Sequence, residues 1–156
     1  MKVYLVRHGD ALSEDEDPIR PLSDKGRRDV GKIAKFLDKN GIRVDRIIHS
    51  GRTRAEQTAA ILADAVGVGV TITQQDGIAP NDAIEPFANQ LREWKRDIMV
   101  VGHLPFQALL VAYCVYGHAS GAITAFEPGT IVCLEEVDTN GGWRIGWALT
   151  PSVLAD

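Results

Sequence analysis

The sequence predicts an α/β fold: a three-layer α/β/α sandwich on a mostly parallel sheet that ends in an antiparallel hairpin. Three observations carry this. Short apolar runs alternate along the chain with longer amphipathic stretches, the pattern of strands joined by crossover helices. Capping and stop residues stand at the ends of the helical stretches. Near the C-terminus, two strand-like runs flank the turn sequence DTNGG, which reads as a hairpin rather than a crossover.

Taken in order, Lys2–Val6 (KVYLV) is an apolar run suited to a strand covered on both faces. In the helix that follows, Val30, Ile33, Ala34 and Leu37 share one face, with Ser23 as N-cap and Gly41 as stop. Arg46–Ser50 (RIIHS) is the second strand. Ile61, Leu62, Ala65 and Val66 line a second helix that ends before Gly67, and Val70–Thr73 is a shorter third strand. AIEPFANQLREW predicts a helix begun or interrupted at Pro86. Ile98–His103 (IMVVGH) is a further buried strand, and Pro105 opens the helix PFQALLVAYCVY at a first-turn position that suits proline. Thr130–Val137 and Trp143–Leu149 form the hairpin around Asp138–Gly142. With no repeat, low-complexity segment or linker, residues 1–156 read as one domain.

A chain of 156 residues can bury a proper core. Its net charge of −4 argues against a nucleic-acid-binding face, while leaving room for a local arginine cluster that serves a phosphate. No stretch approaches the ~20 apolar residues of a membrane span, and MKVYLVRHG is too short a run for a signal peptide. Cys114 and Cys133 sit in apolar surroundings without CxxC or metal spacing and read as reduced core residues. No apolar surface stripe is left over. The expectation is a cytoplasmic monomer with neither nucleic acid nor membrane as partner.

In sheets of this kind ligands bind beyond the carboxyl ends of the strands. The first strand ends at Arg7-His8-Gly9, the second at His49-Ser50-Gly51 just before Arg52 and Arg54, and the fourth at Gly102-His103. His8, Arg54 and His103 therefore share one address at strand-to-helix junctions. A neutral imidazole is a nucleophile with an ordinary pKa of about 6.5, and neighbouring guanidinium groups disfavour a second proton on it. The same arginines fork onto phosphate oxygens, the helix opening at Arg54 adds a further anion preference, and Gly9 lets the chain turn closely under a ligand. A phosphate, or an anion of sulfate shape, meets all of these demands. In this reading His8 attacks phosphorus while Arg7, Arg54 and His103 hold the equatorial oxygens.

The segments LVRHGDA, RPLSDKG, SGRTRAEQT and VVGHLP, in that order, resemble the histidine phosphatase superfamily (phosphoglycerate mutase-like), and within it the small SixA-type phosphohistidine phosphatases. The resemblance runs from Lys2 to about Pro151. It implies His8 as the phosphorylated nucleophile, Arg7 and Arg54 as phosphate clamps, and His103 as a donor to the phosphoryl group. It also sets Arg20 beside the pocket and Ser50 at a small polar position before the clamp helix. The implied partner is a phosphohistidine-bearing protein of a phosphorelay or phosphotransfer system.

Phosphomonoester-cleaving relatives carry a carboxylic acid on an inserted segment, and none of Asp64, Asp76, Asp82 and Glu85 matches it. A phosphoramidate needs less help, because its leaving nitrogen is readily protonated. A small-metabolite phosphomonoesterase or mutase, and a non-catalytic phosphate-binding module, remain the alternatives. Neither HxH nor HExxH spacing occurs, and adjacent arginines repel a cation, so no metal and no cofactor are expected. The acidic run Ser13–Pro18 should point outwards, away from a phosphate. Arg52 is assigned to the surface, His49 and His118 to structure or surface, and Trp94, Trp143 and Trp147 to packing.

Overall fold

The computed structural model describes residues 1–121, 123–137 and 142–156. In chain order its elements are β1 (Lys2–Arg7), α1 (Asp24–Lys39), β2 (Arg46–His49), α2 (Thr53–Val66), β3 (Thr71–Gln74), α3 (Ile84–Trp94), β4 (Ile98–Gly102), α4 (Phe106–Tyr116), β5 (Ile131–Val137) and β6 (Gly142–Leu149). The strands form a six-stranded sheet in the order β3-β2-β4-β1-β5-β6. Pairing is parallel from β3 to β1 and antiparallel from β1 to β6.

The two-residue period of a strand sorts its side chains onto opposite faces. Val3, Leu5, Ile98, Val100, Val132 and Leu134 pack with α3 and α4 on one face. Tyr4, Val6, Met99, Val101, Ile131 and Cys133 pack with α1 and α2 on the other. Two apolar clusters thus sandwich the sheet, which explains why the central strands are apolar at every position. These are the expected three layers. Cys114 and Cys133 are free and buried.

Several boundaries move by a residue for identifiable reasons. β1 continues to Arg7, whose N–H donates to the Thr130 carbonyl at 3.0 Å. β2 stops at His49 because Ser50 turns away towards His103. β3 is exposed along its whole length at the sheet edge, which accounts for its weak apolar signal. Pro105 precedes α4 at the capping position instead of opening it, and α3 starts two residues before Pro86, which occupies the first turn. Ser23 caps α1 as expected, its hydroxyl accepting from the Gly26 N–H at 3.0 Å. The expected hairpin turn at Asp138–Gly142 falls mostly on residues 138–141, outside the described residues, but its strands pair from Ile131 with Leu149 to Val137 with Gly142. No helix among the described residues is long and apolar enough to cross a membrane.

Candidate active site

Parallel register brings the chemistry to one edge. Arg7 lies opposite Gly102 in the β1–β4 pair, so His8 and His103 leave adjacent strands together. The His8 N–H donates to the Gly102 carbonyl at 2.9 Å, extending that ladder by one step. The two imidazole rings stand 5.1 Å apart between centroids, inclined at 53°. β2 lies on the other side of β4 and delivers Ser50 and, through α2, Arg54.

The hydrogen bonds at His8 decide where its proton sits. Nδ1 lies 2.7 Å from the Gly9 carbonyl oxygen, which can only accept, so Nδ1 carries the hydrogen. In the neutral ring Nε2 is then a bare lone pair. It accepts from Arg54 Nε–H at 3.3 Å, and that guanidinium stands beside the nitrogen able to attack. His8 is 7% exposed, and burial pushes its pKa down to about 4. Arg54, Arg7 and Arg20 add to the depression, and the Gly9 carbonyl works against it. The neutrality expected from the arginines is therefore chiefly a result of burial.

His103 is buried more completely, and burial followed by the neighbouring His8 charge takes it down to about 3. Its Nε2 lies 2.5 Å from Ser50 Oγ, and its Nδ1 is buried with no partner among the described residues. Ser50 thus engages the second histidine directly. Arg7 spends one terminal nitrogen on the Phe126 carbonyl at 2.7 Å, while its Nε is buried with no acceptor among the described residues. Arg20 has a positive φ of 50°, and its Nε donates to the Leu12 carbonyl at 3.0 Å. Its charge acts on His8, Arg54 and His103.

Gly9 serves a different purpose from the one expected. A Cβ there would meet Val30 Cγ2 at 2.7 Å and the Gly26 carbonyl at 3.1 Å, so the space belongs to α1, not to a ligand. Its N–H is already committed to Thr58 Oγ1 at 3.0 Å, leaving no backbone donor for a phosphate. Thr58 in turn donates to the Arg54 carbonyl at 2.8 Å, tying the His8 turn to the helix that carries the arginine. Gln57 accepts from the Leu22 N–H at 2.8 Å and fastens the RPLS segment to the same helix. The QT of RAEQT is therefore a pair of struts, which the motif signalled without revealing what they hold.

The acidic run is a surface loop, with Ser13 to Glu16 and Pro18 exposed. Ser13 and Glu16 bond to one another and Asp17 accepts from the Ile19 N–H, building the loop. Glu14 is exposed and also borders a groove of about 320 Å³ together with Arg20, Arg52, Thr53 and Arg54. Arg52 is exposed, as expected, and borders the same groove. Asp76 and Asp82 line another groove with Pro86 and Phe87. His49 is buried and accepts from the Gly51 N–H, and His118 is exposed against Ser120. Trp143 is buried, Trp147 packs on Tyr4 and Phe36, and Trp94 packs on Phe87. Among the described residues no group of three or more His, Cys, Asp or Glu stands where it could hold a metal ion.

A lone pair on His8 Nε2, guanidinium groups beside it and a second imidazole 5.1 Å away make a site for an anion that accepts a nucleophile. Comparison with known proteins agrees. Residues 3–79 match the family model described as histidine phosphatase superfamily (branch 1). The phosphohistidine phosphatase SixA of Escherichia coli (strain K12) is 25% identical over 156 residues, covering 97% of this chain and 94% of that protein. An uncharacterized protein of a Picosynechococcus species is 34% identical over 112 residues, 67% of each chain. A structure of the protein histidine phosphatase SixA complexed with tungstate superposes with a TM-score of 0.86 at 25% identity, covering 98% of this chain and 99% of that one.

Proposed function

This chain belongs to the histidine phosphatase superfamily, whose phosphatases use a histidine nucleophile, and from that premise we propose that it removes the phosphoryl group from phosphohistidine on a protein. The observation that carries the reading is the state of His8: neutral, with Nδ1–H held by the Gly9 carbonyl and the Nε2 lone pair beside Arg54. Nε2 attacks phosphorus, the P–N bond to the substrate imidazole breaks, and that departing nitrogen takes up a proton from solvent. Positive charge developing on His8 is met by the Gly9 carbonyl. Arg7 and Arg54 carry the charge on the equatorial oxygens, Arg20 adds to the field, and His103 donates Nε2–H to a phosphoryl oxygen once Ser50 yields it. Water then attacks phosphorus, the P–Nε2 bond breaks, and inorganic phosphate leaves with His8 neutral again.

Two things support a protein substrate. A relative that aligns over 97% of this chain is named a phosphohistidine phosphatase, and a surface groove lined by Arg20, Arg52 and Arg54 opens beside the clamp arginine. The tungstate held by the superposed SixA is an oxyanion of phosphate's shape, in keeping with an anion at this site.

Glu14 supplies a second reading. It is a carboxylate on the groove wall, and an acid there could protonate the leaving alkoxide of a phosphomonoester. One experiment separates the two. Turnover of a phosphohistidine-bearing protein is compared with a panel of small phosphomonoesters, with chelator present, for wild type, His8→Ala and Glu14→Gln. Preference for phosphohistidine, insensitivity to Glu14→Gln and a dead His8→Ala are the expected results. Preference for a phosphomonoester that disappears in Glu14→Gln selects the second reading, and activity that survives His8→Ala overturns both.

A further inference from the structure

Gln107 belongs to none of the motif segments, yet it is fully buried at the candidate site's foundation. Its side-chain nitrogen donates to the Val6 and Val100 carbonyls, each at 3.0 Å, and its backbone N–H donates to the His103 carbonyl at 2.9 Å. Val6 lies two residues before His8 in β1, and Val100 three before His103 in β4. One amide therefore bridges the two strands whose ends carry both histidines.

Backbone pairing already joins β1 to β4, so it is the junction that needs holding. His103 lies between the end of β4 and the start of α4, beyond the strand register, and its carbonyl accepts the backbone N–H of Gln107. Three bonds from Gln107 pin the first turn of α4 to His103 and to both strands at once. Only a donor with two hydrogens can serve two carbonyls in this way. The cost is visible: Gln107 Oε1 is buried with no partner among the described residues, a penalty that a leucine of similar size would avoid. Gly102 shows how closely the strand passes, since a Cβ there would stand 3.3 Å from the amide carbon and nitrogen.

We propose that Gln107 is a positioning residue for the phosphoryl transfer, its amide clip setting the separation and inclination of His8 and His103 without touching substrate. The proposal rests on the two-histidine chemistry above. Because Arg54 stands on α2, away from the clip, binding of an anion should survive loss of the amide while turnover does not.

Gln107→Leu removes both bonds at similar volume, and Gly102→Ala displaces the amide by a few tenths of an ångström while leaving it present. For Gln107→Leu, kcat on the phosphohistidine substrate should fall roughly ten- to hundredfold, the loss that a misplacement near 1 Å produces. Affinity for inorganic phosphate should stay near that of wild type. Gly102→Ala should shift kcat the same way by less, and it carries the test if Gln107→Leu does not fold. Nitrogen NMR of the two imidazoles should show both rings altered in Gln107→Leu. A wild-type kcat in the folded variant, or a kcat that falls only in step with phosphate affinity, overturns the proposal. Should the wild-type protein fail on phosphohistidine altogether, the proposed function falls and the ring signals alone judge Gln107: altered rings sustain the clip, unaltered rings refute it.

Discussion

Thr58→Val is the sharpest test of how the candidate site is built. The Thr58 side chain is fully buried, accepts from the Gly9 N–H and donates to the Arg54 carbonyl. Arg54's carbonyl retains its helical bond within α2, so it is not orphaned. The buried Gly9 N–H does lose its acceptor, and an orphaned donor costs about 1–3 kcal/mol. The methyl gained by valine returns about 0.8 kcal/mol, so the net loss should be about 0.2–2.2 kcal/mol. Thr58→Ser keeps both hydrogen bonds and gives up one buried methyl, at a cost of about 0.5–1.5 kcal/mol. Stability alone therefore barely separates the two variants, and turnover must do so. Gly9 holds the His8 ring through its carbonyl, so freeing its N–H loosens the ring, whereas serine keeps it tied. Urea unfolding should place both variants within about 1 kcal/mol of each other, with kcat reduced roughly tenfold for valine only, equivalent to about 1.4 kcal/mol of barrier. A serine variant as slow as the valine one, or a valine variant at wild-type speed, would refute this account of the strut.

Other predictions follow from the buried groups. Because the His8 pKa is depressed, the reactive neutral form persists well below pH 6.5, and the acid limb of kcat/KM should bend near pH 4. A limb at the ordinary histidine value would contradict that. Stability has its own sign: between about pH 6.5 and the folded values of about 4 and 3, the unfolded chain binds protons that native His8 and His103 do not. Stability is then fully present above pH 6.5 and drops on acidification, by up to about 1.4 kcal/mol per pH unit for each histidine; urea titrations of wild type and the His8→Ala, His103→Ala double variant at several pH values measure it. Burial raises the Cys114 thiol to about 12 and the Cys133 thiol to about 11, so neither should react with a thiol reagent at pH 8 until the protein is unfolded.

What the sequence could reveal follows a physical divide. Strands, helices and caps are written in local periodicity and composition, so β1, β4 and the cap at Ser23 were readable to within a residue. The shared address of His8, Arg54 and His103 was readable too, because parallel strands deliver their ends to one edge. Hydrogen bonds between residues far apart in the chain have no local signature. Ser50 meeting His103 spans 53 residues, Thr58 meeting Gly9 spans 49 and Gln107 meeting Val6 spans 101. Glu14 is a similar case: its charge argued for a solvated position, which it has, but not for the neighbours it meets, since only the fold brings it beside Arg20 and Arg54 at the rim of a groove. Gly9 was singled out correctly as a tight spot and misread in cause, since sequence does not say which neighbour fills the space.

The ordering of causes at His8 separates two jobs that a single arginine is easily supposed to do together. Burial is the largest influence lowering its pKa, and Arg54 comes behind it, so the low value belongs to the strand-end location more than to the clamp. Arg54→Met should then leave His8 titrating well below 6.5 while stripping away the guanidinium beside Nε2. Phosphate affinity and kcat should both fall, by roughly the 10²–10³-fold associated with removing one oxyanion donor, yet the acid limb of the pH profile should move up only partway. Histidine NMR in the same variant gives the value directly. A His8 that returns to the ordinary range would mean that charge, not desolvation, keeps the nucleophile free of its second proton, and would transfer that role to the arginines.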